Sequence, residues 1–364
     1  MTDPTELHHV AIVGCGIIGR THADTIAARP DAVVTALVDG DAAAREALAA
    51  RLVEAGQPEP KVFGDLTAAM DAADLDLVAI CTPSGTHAAL AEQALSERKH
   101  VVIEKPLDVD LTRARRLGAA ATRAANHGVV SSVISQHRFD PGSALVSQAI
   151  RAGRFGQRTS AVASVAWWRS DEYYASAGWR GTWAQDGGGA LMNQGVHTVD
   201  LLLWFMGRPV TIQAQAVRAA HHAIEVEDTV VATIMFESGA VATLHATTAA
   251  FPGGRTLVSV HGTEGGAEVE NDLLRRFNAD GVKDDVAFDP ERPGRHVAQY
   301  EDIFTAIANG SQPGITVHDA IEALATVRAV YIASALQRPV KFLDVLEGRY
   351  DDVDVTRCTQ LPPS

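Results

Sequence analysis

Short apolar runs alternate with segments of helical period through the first third of the chain. Residues 9–13, 33–38, 61–63, 77–81, 100–103 and 129–135 are rich in Val, Ile, Leu and Ala and read as buried strands. Between them, the segments from Gly19 to 28, over 42–53, over 66–72, up to Arg98 and over 110–126 repeat apolar positions every three to four residues, as amphipathic helices do. Strands without polar alternation, each followed by a helix, predict a doubly wound parallel sheet. The pattern then changes. A helix over 143–152 and a strand over 159–168 lead into residues 169–186, a stretch with no clear period. An apolar helix is expected over 187–206. Alternating segments at 210–217, 229–236, 240–247 and 257–261 then predict an open, mainly antiparallel sheet, with turns at 238–239 and 262–266. Residues 271–295 read as irregular and charged, and helices over 299–308 and 319–336 close the chain.

A chain of 364 residues exceeds the size at which one core stops growing, so two domains are expected. We place them at 1–133 (α/β) and 134–364 (α+β), with the last helices as candidates to pack back on the first. A formal charge of −14 argues against nucleic acid or an anionic membrane as partner. Cys15, Cys81 and Cys358 are scattered without disulfide or metal-ligand spacing. The acidic, polar start MTDPTELHH does not resemble a signal peptide, and no window reaches the length of a membrane span. The expected location is cytoplasmic, and no metal site is foreseen.

The first strand runs into Gly14-Cys15-Gly16-Ile17-Ile18-Gly19 and then a helix. In this setting GxGxxG supplies a tight turn, close backbone approach to a pyrophosphate, and close packing of helix on strand. The second strand ends in Asp39, twenty residues after Gly19, where a carboxylate would bind a ribose diol. Gly40 and Asp41 follow, so no arginine stands ready for a ribose phosphate, and NAD is expected over NADP. Ligands of such sheets lie beyond the carboxyl ends of strands, which draws in Thr82, Pro83 and His87 after one strand and Glu104-Lys105-Pro106 after another. His87 also reads as a helix-start residue. Lys105, directly off a buried strand end, is poorly placed as a solvated surface charge and should face the ligand.

In GGGALMNQGVHTVDLLLW, residues 187–204, Asn193, His197, Asp200 and Trp204 form a polar stripe on an otherwise apolar helix. A buried stripe needs partners or a ligand. Arg138 reads as a residue of the ligand crevice or as an interdomain ion pair. All five tryptophans, Trp167, Trp168, Trp179, Trp183 and Trp204, fall within or beside the aperiodic stretch and the helix after it. With Arg169, Arg180, Tyr173 and Tyr174 as donors, this aromatic cluster suits a polyhydroxylated substrate, Trp168 and Trp179 among its walls; the alternative is a structural flap.

Together GCGIIG, Asp39, CTPSGTH, Glu104-Lys105-Pro106 and the GGG…HTVDLLLW segment resemble the glucose-fructose oxidoreductase and inositol dehydrogenase family, often called Gfo/Idh/MocA, along essentially the whole chain. The resemblance implies an N-terminal Rossmann domain, a cis Lys105–Pro106 peptide, Lys105 holding the substrate hydroxyl and His197 as acid/base. Many members carry Asp four residues before that histidine, where this chain has Asn193. The MNQGVH form is similar to members that oxidise a ring hydroxyl of a sugar or nucleotide sugar. The expected function is an NAD-dependent dehydrogenase acting on a secondary ring hydroxyl of a sugar, glycoside, anhydrosugar or cyclitol. Alternatives are a nucleotide-sugar 3-dehydrogenase of UDP-hexosaminuronate type, an NAD-using glycosidase that oxidises transiently, and a non-catalytic sensor. Apolar residues in both registers of the second sheet, such as Val230, Val231, Ile234 and Met235, suggest that a second subunit covers one face, in a homodimer or homotetramer.

Overall fold

The structure, a computed structural model, describes residues 7–279 and 295–359. These fall into two compact units. The first comprises residues up to 108, 113–134 and 293–318; the second comprises 109–112, 135–292 and 319 onward.

The first unit is built on six parallel strands: β1 (His8–Val13), β2 (Ala32–Val38), β3 (Lys61–Phe63), β4 (Leu77–Ile80), β5 (His100–Ile103) and β6 (Ser131–Val133). Their spatial order, β3-β2-β1-β4-β5-β6, reverses direction between β1 and β4. At such a switch point, loops leaving the carboxyl ends of adjacent strands splay apart and open a ligand site. Helices Ile17–Ala27 and Ala42–Glu54 bury Ile26, Leu48 and Leu52 against Ile12, Leu37 and Ala79 of the sheet. Tyr300, Ile303 and Phe304 of helix Arg295–Asn309 join the same core, so a segment near the end of the chain completes a core begun at its start.

The second unit holds an eight-stranded sheet ordered β13-β12-β11-β7-β10-β9-β8-β14. Its members are β7 (Arg158–Ala166), β8 (Pro209–Val217), β9 (Thr229–Phe236), β10 (Val241–Thr247), β11 (Thr256–Gly262), β12 (Gly266–Glu270), β13 (Leu273–Asn278) and β14 (Val340–Lys341). All neighbours are antiparallel except β7 and β10, which run parallel with Leu244 opposite Ala163. One face is fully buried. Val230, Ala232, Ile234 and Phe236 of β9 alternate with exposed positions, and helix Val196–Met206 packs on the buried side of β7 and β11. The opposite face carries Val162, Val210, Val231, Met235 and Val241, each about half exposed. Met235 lies directly across from Val241, so these side chains share one surface.

The structure departs from the sequence reading at several points, strands β12 and β14 among them, neither of which was expected. Residues 271–279 are not irregular: Asn271 and Asp272, with φ of 47° and 67°, turn β12 into β13 as a two-residue hairpin. β13 was hidden because its Leu-Leu-Arg-Arg pattern lacks apolar alternation. The rest of that stretch, 280–294, lies outside the described residues, and the next helix starts at Arg295 rather than 299. A short helix, Asp171–Ala175, interrupts the aperiodic stretch. Finally, residues 187–206 are not one helix: a π-helical turn, Ala190–Gln194, precedes the α-helix that begins at Val196.

Candidate active site

The glycines at the end of β1 are there for steric reasons. Gly14 has φ of +97°, and a Cβ on it would lie 2.7 Å from the Cys81 carbonyl carbon at the end of β4. A Cβ on Gly19 would lie 1.9 Å from the Gly14 oxygen. Gly16 differs, because a Cβ there would meet nothing within 4 Å. It N-caps helix Ile17–Ala27 with no side-chain cap and no acidic residue in the first turn, so the first amides of the helix present an uncompensated positive end to open space. That cradle fits a pyrophosphate. Ile17 stands 82% exposed at its rim, and Ile18 is half buried.

Asp39 ends β2 half buried. Its carboxylate accepts the Cys15 N–H at 2.7 Å and the Asp41 N–H at 2.9 Å, which ties the second strand end to the glycine turn. Contrary to expectation, an arginine does stand here. Asp41 caps helix Ala42–Glu54, and one turn in, Arg45 Nη1 donates to the Asp39 carbonyl at 2.7 Å. That guanidinium is engaged with backbone.

His87, the first residue of helix His87–Ser96, is buried as a strut. Its Nδ1 lies 2.8 Å from the Pro106 carbonyl and its Nε2 2.7 Å from that of Thr82, so the imidazole joins the loops after β4 and β5. Pro83 N-caps the short turn Ser84–Thr86, and the hydroxyls of Thr82 and Thr86 are 2.7 Å apart. The Lys105–Pro106 peptide is cis, as the resemblance implied, and Lys105 is half buried. The Glu104 carboxylate is taken up by protein. One oxygen accepts from His22 Nε2 at 2.9 Å, and the other accepts the Lys105 N–H at 3.0 Å. His22 is fully buried, with Nδ1 2.7 Å from the Tyr300 hydroxyl. Burial opposes charge on the imidazole, but Cys81, Tyr300 and Glu104 outweigh it and hold its pKa well above the usual histidine value. Burial likewise opposes the carboxylate, and His22 and Lys105 pull it down to about 2. At neutral pH this is a buried ion pair directly behind Lys105.

In the second unit the organising group is Glu227, which has no exposed surface. One carboxylate oxygen accepts the Gly189 N–H at 2.7 Å; the other accepts the Leu191 N–H at 2.9 Å and the Tyr331 hydroxyl at 2.9 Å. A Cβ on Gly189 would lie 1.8 Å from the Glu227 carbonyl oxygen, so only glycine allows this approach. Burial pushes the Glu227 carboxyl up to about 7 despite these donors. The anchored turn carries Asn193 and, four residues on, His197, both half buried among fully buried neighbours.

Asn193 Nδ2 donates to Asp186 Oδ1 at 2.7 Å. The ring of His197 meets that of His137 edge-on, with centroids 4.8 Å apart, and His137 Nδ1 in turn lies 3.2 Å from Asp140 and 3.1 Å from Asp272. This grouping of a histidine and two carboxylates, like that of His22, Glu104 and His296, is invisible in sequence spacing. Asp200 and Trp204 complete the stripe differently. Arg138 makes a two-pronged pair with Asp200 at 2.8 and 2.6 Å, reaches Asp319 at 3.2 Å and lies 5.5 Å from the Trp204 ring. The reading of Arg138 as an interdomain ion pair is corrected: an ion pair forms, but Arg138, Asp200 and Asp319 all lie in the second unit.

The aromatic stretch is a packed ladder. The Arg169 guanidinium sits 4.9 Å from both the Trp167 and Tyr173 rings; that of Arg180 sits 4.5 Å from both the Tyr173 and Trp179 rings and donates to the Tyr173 hydroxyl at 2.8 Å. Among the described residues neither guanidinium is paired with a carboxylate. Trp168 pairs with Ala249 across a bridge and packs on His221 and Phe251. Sequence reasoning missed Glu227, Asp186, His22 and His137. The one available signal was the Glu225-Val-Glu227-Asp228 run, whose acidic residues directly precede an apolar strand.

Residues 8–133 match the family model described as an oxidoreductase family with an NAD-binding Rossmann fold, and residues 144–268 match its GFO/IDH/MocA C-terminal domain. The chain belongs to the Gfo/Idh/MocA oxidoreductases, and its first unit is an NAD-binding Rossmann domain. It is 27% identical to the D-apiose dehydrogenase of Paraburkholderia graminis, over 91% of this chain and 88% of that one. It is also 27% identical to the inositol 2-dehydrogenase of Rhizobium meliloti, over 90% and 97%. Among solved structures, the WlbA dehydrogenase of Bordetella pertussis, in complex with NADH and UDP-GlcNAcA, superimposes with a TM-score of 0.81 at 28% identity, covering 92% of this chain and 99% of that one.

Two outcomes follow from the buried charges. Replacing His22 with Ala strands the Glu104 carboxylate, so urea denaturation should show a loss of about 3–5 kcal/mol; a loss below about 1 kcal/mol would show that the pair is not ionised. Because Glu227 binds its proton more tightly folded than unfolded, its contribution falls as pH rises from about 4.5 toward about 7. The stability gap between wild type and Glu227→Gln should therefore be widest at and below about pH 4.5 and narrow toward neutral, as followed by thermal melts at each pH. A gap independent of pH would contradict the raised value.

Proposed function

We propose that the protein is an NAD-dependent dehydrogenase that oxidises a secondary ring hydroxyl of a sugar, glycoside, anhydrosugar or cyclitol. The observation that carries this reading is the pairing of an intact dinucleotide cradle, Gly14 to Gly19 with Asp39, with Lys105 after a cis peptide and His197 after an anchored turn, in a chain whose relatives are dehydrogenases of an aldose and a cyclitol. An NAD held in this cradle would supply the acceptor for hydride from the carbinol carbon. The glycine turn and Asp39 hold the pyrophosphate and the ribose diol. Lys105 holds the reacting oxygen and favours its alkoxide. His197 takes the hydroxyl proton, a task for which imidazole is the commonest side chain. Asn193 orients the substrate, and the ladder from Trp167 to Trp179 offers it aromatic faces.

One observation favours an anionic substrate such as a nucleotide sugar or uronate: Arg169 and Arg180 are held by stacking, without carboxylate partners among the described residues. The solved WlbA complex contains such a compound. We also place the protein in the cytoplasm, consistent with three free cysteines and with no described helix long and apolar enough to cross a membrane. The half-exposed valines and Met235 on the outer sheet face support a homo-oligomer joined through that sheet.

A spectrophotometric screen of free sugars, cyclitols, anhydrosugars and UDP-sugars with NAD tests the reading. NADH should form with at least one class, and His197→Ala should lower turnover by about 10² to 10⁴ while NAD binding stays near wild type. Turnover of that variant within a few-fold of wild type would remove His197 from proton transfer. Sedimentation velocity should show a dimer or tetramer that Met235→Glu dissociates; a monomeric wild type at micromolar concentration would rule out the sheet interface.

A further inference from the structure

Tyr173 lies on the short helix Asp171–Ala175 and packs against the small apolar cluster of Tyr174, Ile224 and Val226. Its hydroxyl oxygen accepts two hydrogen bonds, from Arg180 Nη1 at 2.8 Å and from Gln194 Nε2 at 3.1 Å. With both lone pairs of that oxygen in use, the phenol has only its own hydrogen left to give. Gln194 belongs to the π-helical turn that also carries Asn193, and only 7% of it is exposed. While its Nε2 serves Tyr173, its Oε1 is a buried acceptor that meets no donor among the described residues. The Nε atoms of Arg169 and Arg180, whose guanidinium groups lie 4.9 and 4.5 Å from the Tyr173 ring, are likewise buried without an acceptor. A polar atom taken out of water and left without a partner is costly, and several of them around one phenol call for a ligand that supplies what each lacks.

We propose that Tyr173, Arg180 and Gln194 form a subsite for an oxyanion of the substrate, a carboxylate or a phosphate, that carries a hydroxyl or amide N–H beside it. The oxyanion accepts the Tyr173 O–H and the Arg180 N–H groups not spent on Tyr173, with Arg169 adding a second positive charge. The neighbouring hydroxyl or N–H donates to Gln194 Oε1. The balance of groups selects this chemistry: the site offers several donors and two positive charges against one neutral acceptor, which an uncharged polyol satisfies only in part. The parts are in place before a ligand arrives. Arg180 stacks 4.5 Å from the Trp179 ring, His221 Nε2 lies 2.7 Å from the Arg169 carbonyl, and Gln194 sits in the turn tied to Glu227. Donors held in this way lose little freedom on binding. The proposal rests on the reading of the protein as a sugar or cyclitol dehydrogenase, and adds Tyr173 and Gln194 as the residues that choose among its substrates. Because Gln194 directly follows Asn193, the oxyanion belongs to the sugar unit being oxidised or to the group attached to it.

The test sets charged probes against neutral counterparts in the presence of NAD: D-glucuronate against D-glucose for a carboxylate, and UDP-N-acetylglucosamine against N-acetylglucosamine for a phosphate. NADH formation should favour the charged member of at least one pair by about tenfold or more in kcat/KM, and the pair that shows it identifies the oxyanion. Tyr173→Phe keeps the ring on which the arginines stack and removes only the hydroxyl; Gln194→Met removes the amide at similar volume. Each should cut that preference by about tenfold, chiefly through the KM of the charged probe, with NAD binding by calorimetry near wild type. Should Gln194→Met fail to fold, Tyr173→Phe alone decides. Equal use of charged and neutral members by the wild type would overturn the proposal. So would a Tyr173→Phe variant that weakens both members of a pair alike, or one that changes only the melting temperature, since a merely structural hydroxyl would leave the preference of the folded enzyme alone. If the wild type forms NADH with none of the probes, the dehydrogenase reading fails separately, and the subsite is judged by calorimetry on the NAD-loaded protein. Binding of D-glucuronate or UDP but not D-glucose, weakened about tenfold by Tyr173→Phe, supports it; no binding of either anion, or binding that Tyr173→Phe leaves unchanged, refutes it.

Discussion

The second unit depends on a carboxylate with no access to water. Glu227 accepts three hydrogen bonds from a turn and a tyrosine far apart in sequence, and the turn carries Asn193 and leads into the helix that carries His197. A buried carboxylate left with fewer donors would be costly, so the backbone at Gly189 and Leu191 has little freedom to move away. The π-helical geometry of residues 190–194 fits this constraint. Extra backbone is accommodated between an anchored glycine and the start of a regular helix, where irregular turns commonly mark functional positions.

The first unit solves a similar problem with charge on both sides. Lys105 follows a strand end whose other polar groups are all engaged within the protein: Glu104 with His22 and the Lys105 amide, His87 with two loop carbonyls. The ion pair is closed from behind by Tyr300, on a helix nearly two hundred residues later. That helix adds Ile303 and Phe304 to the sheet core, so the apolar packing and the polar network behind Lys105 share one supporting element. In both units the groups proposed to meet substrate are not themselves the most deeply bonded; each is held one step out from a buried, fully engaged carboxylate.

Much of this was legible in the sequence wherever the physics is local. Strand-turn-helix order, the GxGxxG glycines, Asp39, the strand-end lysine before proline and the polar stripe through Asn193 and His197 all follow from short-range pattern, because period and backbone freedom are properties of neighbouring residues. The resemblance of those motifs to one family carried the function further than periodicity could. Local pattern also explains the errors: β13 lacks alternation and was hidden, and the helix expected over 187–206 conceals a change from π to α geometry that no side-chain period reports.

What only the tertiary structure decided is which polar groups meet. Arg138 finds Asp200 and Asp319, His137 finds Asp272 as well as nearby Asp140, Glu227 finds Tyr331, and His22 finds Glu104 and Tyr300, at separations from tens to hundreds of residues. Each isolated residue had several possible roles in the sequence, and burial selected one, since a polar group taken out of water must bond to whatever the fold brings near it. Backbone geometry and apolar period could therefore be read along the chain. The assignment of buried charges to their supporting partners had to wait for the packing.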